Sequence, residues 1–128
     1  MTPATAISML DRQLAAHGED IRLQKLTGTQ QIPFEVVCRA FVRGYSPNEL
    51  LAGISQSDVQ VIISATQIDA QSWPGPSLTT ALPTQDRRIP TKGDRVYIKG
   101  KPRNVESAQG IYLDGTLVRI EMRVLGAG

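Results

Sequence analysis

Apolar positions along this chain change their period twice. From Pro3 to His17 they recur at three- and four-residue steps: Ile7, Leu10 and Leu14, with Ala6 and Met9 beside them. That spacing marks one face of a helix. Thr2 suits the cap, Pro3 the first turn, and Gly18 follows the last residue as a stop. The stripe is narrow, so the helix, residues 1–18, is expected to pack on the rest of the chain or on a neighbouring subunit.

After Gly18 the period falls to two. "DIRLQKLT" alternates around Ile21 and Leu23. In "IPFEVVCRAFVRGY", Phe34, Val36, Cys38, Ala40 and Val42 share one face, with Glu35, Arg39 and Arg43 on the other. "SPNELLAGIS" reads as a connector, and "DVQVIISATQI" as a third strand rich in β-branched residues.

Between Ser72 and Gly93 neither period holds. Pro74, Pro76, Pro83 and Pro90 forbid a central strand there. Loops longer than ~15 residues inside a small domain are uncommon and usually functional or disordered. The C-terminal third returns to strands. Val96 and Ile98 face inward, and Tyr97, out of phase with them, faces outward. "KGK" supplies a turn around Gly100, "RNVESA" returns, and Asp114-Gly115 is a hairpin turn. "QGIYLDGTLVRIEMRVLG" closes the chain with Val118, Ile120, Met122 and Val124 inward.

The expected fold is therefore mainly β. Residues 19–128 form a single domain, a small antiparallel β-barrel or sandwich with an N-terminal helix and a long Pro-rich loop at 72–93. At 128 residues the chain is long enough to bury a core without staples. Cys38, the only cysteine, reads as a small buried residue of a protein kept in reducing surroundings. No run of about 20 apolar residues predicts a membrane span. "MTPATAISMLDRQL" has neither the basic start nor the apolar stretch of a secretory signal, so a soluble, intracellularly made protein is expected.

Charge adds one feature. The net charge is only +2, yet Arg87, Arg88, Lys92, Arg95, Lys99, Lys101 and Arg103 make up 7 of the 14 basic residues. An anion-binding function belongs in this zone. Nucleic-acid binding by stacking would need aromatic residues among the cations, and Tyr97 and Trp73 are the candidates. The zone reads equally well as a hairpin with a solvated charged face, or as a sequence-independent contact with phosphates.

Catalysis finds little support. His17 is the single histidine and sits at a helix end, where it can face the helix dipole. One Cys and one His cannot build a zinc site. No Gly-rich phosphate loop precedes a Lys-Ser or Lys-Thr pair. The carboxylates Glu19, Asp20, Asp94 and Asp114 are scattered over strand starts and turns. No enzyme, cofactor or metal is expected.

The residues do resemble a family. "CRAFVRGYSPNELLAGISQSDVQVIIS", "WPGP", "PTKGDRVYIKGKPRNVESA" and "TLVRIEMRVLG", in that order, are similar to the small head–tail joining proteins of long-tailed bacteriophages, also called head-completion, connector or stopper proteins. "HGEDIRL" resembles the start of that module. The likeness runs from about His17 to Gly126, and the order and spacing of the motifs carry it.

The resemblance implies a β-barrel-like subunit of a ring in the virion neck, hexameric by preference and dodecameric as the alternative. Portal and adaptor proteins would lie above it, a tail terminator or tail tube below, and packaged double-stranded DNA in the lumen. It implies no membrane partner and no cofactor. Pro74 to Gly93 would then project toward the lumen or an adjacent subunit. Arg87, Arg88, Lys92, Lys99, Lys101 and Arg103 would meet DNA phosphates or an acidic neck partner. Trp73, Pro74, Pro76, Leu78 and Leu82 would form the contact loop between subunits. The stretch from Ser77 to Arg88 is longer than the family's step from Trp-Pro to Gly-Asp. A tail-completion or tail-tube ring protein, and a small barrel module binding nucleic acid, are the alternatives.

Overall fold

A computed structural model describes residues 2–25, 34–44, 58–71, 73 and 88–125, with Phe34 described by its backbone alone. The elements are α1 (Pro3–His17), β1 (Glu19–Lys25), β2 (Phe34–Gly44), β3 (Val59–Ile63), α2 (Ala65–Ala70), β4 (Arg95–Ile98), β5 (Lys101–Leu113) and β6 (Thr116–Val124). All strand neighbours are antiparallel, and the strands close into a barrel in the order β1-β2-β3-β6-β5-β4.

Two long strands make closure possible by serving two partners each. β2 pairs with β1 through residues 34–40 and with β3 through 41–44. β5 pairs with β4 through 101–104 and with β6 from Val105 onward. The register of β5 against β6 shifts twice, leaving Glu106 extra on β5 and Val118 extra on β6. Such bulges bend a strand and sharpen its twist, which a small closed barrel needs.

The core takes in Ile21, Leu23, Val36, Cys38, Ala40, Val96, Ile98, Ile120, Met122 and Val124, as the two-residue period predicts, joined by Val61, Ile63, Val105, Leu117, Ile68 and Trp73. Val118, expected inward, is corrected, because the bulge at that position puts Leu117 inside in its place. At ~25 cal/mol per Å² of apolar surface removed from water, this contiguous cluster is the main source of stability. Both tight turns, Lys99-Gly100 and Asp114-Gly115, hold positive φ at both residues (53° and 78°, 50° and 77°). That is the two-residue hairpin geometry matching the twist of the flanking strands.

α1 begins where expected. Thr2 Oγ1 accepts from the Thr5 amide at 3.2 Å, and the Gly18 amide donates to the Leu14 carbonyl at 2.9 Å. The helix lies against β6 and β2 of its own barrel. Leu14, Ile62 and Val118 are buried yet stand outside the barrel core, as residues of this outer layer.

Several sequence expectations are corrected. The third strand ends at Ile63 rather than running on through Ile68. Ser64 accepts from the Thr66 amide at 3.3 Å and starts α2, whose Ile68 turns back into the core. The alternation of β1 fails at its end, where Gln24 and Lys25 are both buried. "RNVESA" and the first residues of "QGIYLDG" form one unbroken strand, β5, and the closing strand is β6 alone. The connector at 46–55 lies outside the described residues.

Candidate functional site

The two ends of the barrel carry different chemistry. At the end where β1 finishes and β4 begins, the fold gathers buried polar groups. Lys25 Nζ lies 2.9 Å from Asp94 Oδ2 and donates to Thr91 Oγ1 at 3.1 Å. The same Asp94 oxygen accepts the Thr91 amide at 2.9 Å. Lys25 and Asp94 are both almost fully buried, and the ammonium also stands 5.9 Å from the centroid of the Trp73 ring. A charge this deep is tolerable only because it is paired and hydrogen-bonded.

Trp73 closes this end. Its indole is buried, and its Nε1 donates to the Arg88 carbonyl at 3.0 Å. Trp73 and Arg88, the described residues on either side of 74–87, are thus joined directly to each other. Expected as a contact between subunits, the Trp73 side chain is instead part of the fold's own interior. Pro74, Pro76, Leu78, Leu82 and Arg87 lie outside the described residues. Arg88 Nη1 pairs with Asp69 at 3.2 Å, and Lys92 Nζ with Glu106 at 3.5 Å.

Lys99, Lys101 and Arg103 belong to the β4–β5 hairpin, and its register decides where they point. Lys101 stands opposite Ile98, and Arg103 opposite Val96. Directly paired residues share a face, so both cations lie in phase with the core rather than on the outer face. Arg103 is half-buried with its Nε enclosed. Lys101 and Lys99, at the rim and the turn, are exposed.

The outer face of the hairpin carries Arg95 and Tyr97. Tyr97 points outward as expected, but the Arg22 guanidinium covers its ring at 4.4 Å from the centroid. Arg22 is itself 3.3 Å from Glu35, which also accepts from Gln24 at 2.6 Å. Tyr97 is therefore already stacked on a cation of its own chain.

The structure consequently divides the basic zone. Arg88 and Lys92 sit at one end of β4, and Lys99 and Lys101 at the other. The four residues of β4 separate them by roughly 13 Å at ~3.3 Å per residue. Two arginines on the solvent-facing phase of the sequence pattern have structural tasks: Arg39 binds the end of α1, and Arg123 lies 3.0 Å from the buried Asp58. Lys25 carries no sequence signal beyond its break in the alternation.

For chemistry, Cys38 is buried, and burial first and the nearby Asp20 charge second push its thiol up to about 12. The thiolate needed for nucleophilic attack is thereby suppressed. Cys38 lies inside the barrel, whereas His17 is exposed on α1. Among the described residues no three His, Cys, Asp or Glu side chains converge to hold a metal ion, and no helix is long and apolar enough to cross a membrane.

Compared with protein-family models, with curated proteins and with solved structures, the chain matches none of them.

Proposed function

We propose that this chain is a structural subunit of a virion neck, forming a ring between the portal and adaptor above and the tail below. The observation that carries the reading is where the resembling motifs fall. Arg-Gly-Tyr begins on the last residues of β2, the apolar run ending in Ser is β3 and the cap of α2, and Gly93-Asp94 immediately precedes β4. The "TLVRIEMRV" stretch is β6. Motifs spread over the described residues thus mark successive elements of one closed barrel, and this arrangement supports the reading.

A ring subunit needs surface for a neighbouring copy in a head-to-tail arrangement. Met9 on α1 and Ile111 and Tyr112 on β5 are exposed apolar groups that suit such a contact. The ring would retain packaged DNA and present a docking surface to the tail, by binding alone and without a cofactor.

Electron microscopy of particles from a producer lacking this gene tests the proposal. DNA-filled or leaking heads beside free finished tails, joined on addition of the purified protein, are the expected result. Heads without any tails would move the protein to tail assembly. Unchanged particles would overturn the virion reading.

A further inference from the structure

We infer that the tip of the β4–β5 hairpin, Lys99 to Lys101, is a contact finger for the phosphate backbone of duplex DNA. Paired charge is unevenly distributed over the molecule. Arg22, Lys25, Arg39, Arg88, Lys92, Arg119 and Arg123 each have a carboxylate within hydrogen-bonding or ion-pair distance. Arg43 donates to the Gly44 carbonyl. Among the described residues, Lys99 and Lys101 have no such partner, although Asp20 sits near the same end of the barrel with its carboxylate taken by Arg39. The fold neutralises most of its cations in pairs and leaves this turn positive. Arg103, half-buried on β5, is engaged within the molecule, and Arg12 on α1 and the half-buried Arg95 on β4 are the other exceptions; each of these two stands alone, whereas the turn carries two ammonium groups two residues apart.

The backbone supplies a second, independent observation. Lys99 holds φ at 53° in a turn whose first position favours Asn, Asp or Gly. The chain's other two-residue turn uses Asp114 there, also at positive φ. A lysine at this position bears a conformational cost that its neighbours do not require, because its side chain is exposed and has no hydrogen bond or ion pair among the described residues. Backbone strain of this kind clusters at functional sites, including those that clamp a ligand.

The surroundings select the partner. Lys99, Gly100, Lys101 and Pro102 are all exposed, and none of the exposed large apolar residues (Met9, Val37, Ile111 and Tyr112) belongs to the tip. Protein interfaces draw their affinity from desolvated apolar and aromatic anchors. Contacts to nucleic-acid backbone need only cations, through release of condensed counterions. A narrow turn with two free ammonium groups and no apolar anchor fits the second case. Arg88 and Lys92, each already paired and at the opposite end of β4, are excluded from it. The choice of duplex DNA among polyanions rests on the neck reading above.

The test is fluorescence anisotropy of the purified full chain, titrated to about 1 mM against a labelled duplex of about 30 bp across about 20–200 mM salt, a range set by the weak affinity of non-specific contacts. Lys99→Asn combined with Lys101→Gln is the informative variant, because Asn-Gly is the preferred pair for this turn and the fold should melt no lower than the parent. Each lost phosphate contact lowers the slope of log K against log salt by ~0.9, so the double variant should lose roughly 1.8. Arg88→Gln with Lys92→Gln should leave the slope unchanged.

An unchanged slope in the double variant, absence of duplex binding by the parent, or binding to poly-glutamate in place of duplex would each overturn the inference. A lost slope with normal particles on gene deletion would leave the finger standing and remove only the neck reading. A neck phenotype with an unchanged slope would remove only the finger.

Discussion

The Arg39 guanidinium donates to the Gly18 carbonyl at 2.5 Å and so fastens the end of α1 to the outer face of β2. The same side chain donates to the carbonyls of Leu14 at 3.1 Å and Ala15 at 3.2 Å, and lies 3.3 Å from Asp20. The last carbonyls of a helix have no partner within it, and a cation there also meets the negative end of the helix dipole. One arginine thus does for α1 what its narrow apolar stripe does not.

Replacing Arg39 by Ala should cost about 2 kcal/mol, in the range for hydrogen bonds to a charged group. The loss should be local: hydrogen exchange across α1 should accelerate while β1 and β6 amides keep their protection. Gly18→Ala attacks the same joint from the other side. A Cβ at Gly18 would stand 2.6 Å from the Leu14 carbonyl oxygen and 2.8 Å from that of Ala40, both backbone atoms. About 1–3 kcal/mol of destabilisation is expected, as for other forced overpacking, and urea unfolding measures it.

Lys25→Met should strand the Asp94 carboxylate, which is almost entirely enclosed. Removing one member of a buried pair costs ~3–5 kcal/mol, whereas replacing both is often nearly neutral. Asp94→Asn keeps an acceptor for the Thr91 amide. The double variant Lys25→Met/Asp94→Asn should therefore lose well less than the sum of the two single losses, with a coupling of about 2 kcal/mol in a double-mutant cycle. Additive losses would mean that the pair contributes through its separate contacts.

How far this arrangement is legible in the sequence depends on the length scale of the cause. The barrel class, α1 with its cap and stop, the inward faces of β2 and β4 and that of β6 from Ile120 to Val124 follow from local periodicity, and the structure carries them; Val118 departs because the bulge there, set by pairing with β5, puts Leu117 inside in its place. Ser64 escapes a periodicity reading because β-branched residues on both sides hide a helix cap inside an apparently continuous strand. The phases of Lys101 and Arg103 depend on the two-residue loop, which sets Ile98 opposite Lys101; composition shows only that the stretch is basic. Lys25 and Arg39 owe their roles to residues 69 and 21–25 positions away in the chain, Asp94 and the Leu14–Gly18 carbonyls. No period in the sequence reports such long-range pairings.

The free edge of β2 is closed by side chains. Where β2 pairs with β1 on one side, its other edge meets α2: the Arg39 amide donates to Gln67 Oε1 at 2.6 Å and the Val37 amide to Gln71 Oε1 at 3.1 Å. Gln71 Nε2 in turn donates to the Val37 carbonyl at 2.6 Å. Two glutamines one helical turn apart imitate a neighbouring strand, and exposed edges of this kind otherwise recruit one. Gln67→Ala/Gln71→Ala should speed exchange at the Val37 and Arg39 amides, and should promote concentration-dependent association seen by sedimentation, since Val37 is itself exposed.

Cys38 gives the last prediction, and its sign is fixed by burial. The folded thiol is pushed from 9.0 up to about 12, chiefly by desolvation and further by Asp20. A group whose pKa is higher in the folded state contributes stability that is full below its unfolded pKa. That contribution is lost as pH rises toward the folded value. The window is therefore from about pH 9 upward, where stability falls by up to ~1.4 kcal/mol for each further pH step of one, the value for a single proton. Lysines and tyrosines titrate there too, so the comparison is with Cys38→Ala, which removes this share alone. The gap in stability between parent and variant should be constant below pH 8.5, about half a pH unit under the unfolded thiol's range, and shrink above it. In the native protein at neutral pH, a thiol reagent should modify Cys38 only as fast as the barrel opens, because the thiolate it needs forms only on exposure. Rapid modification without unfolding would show that the β2 face of the core is open to solvent.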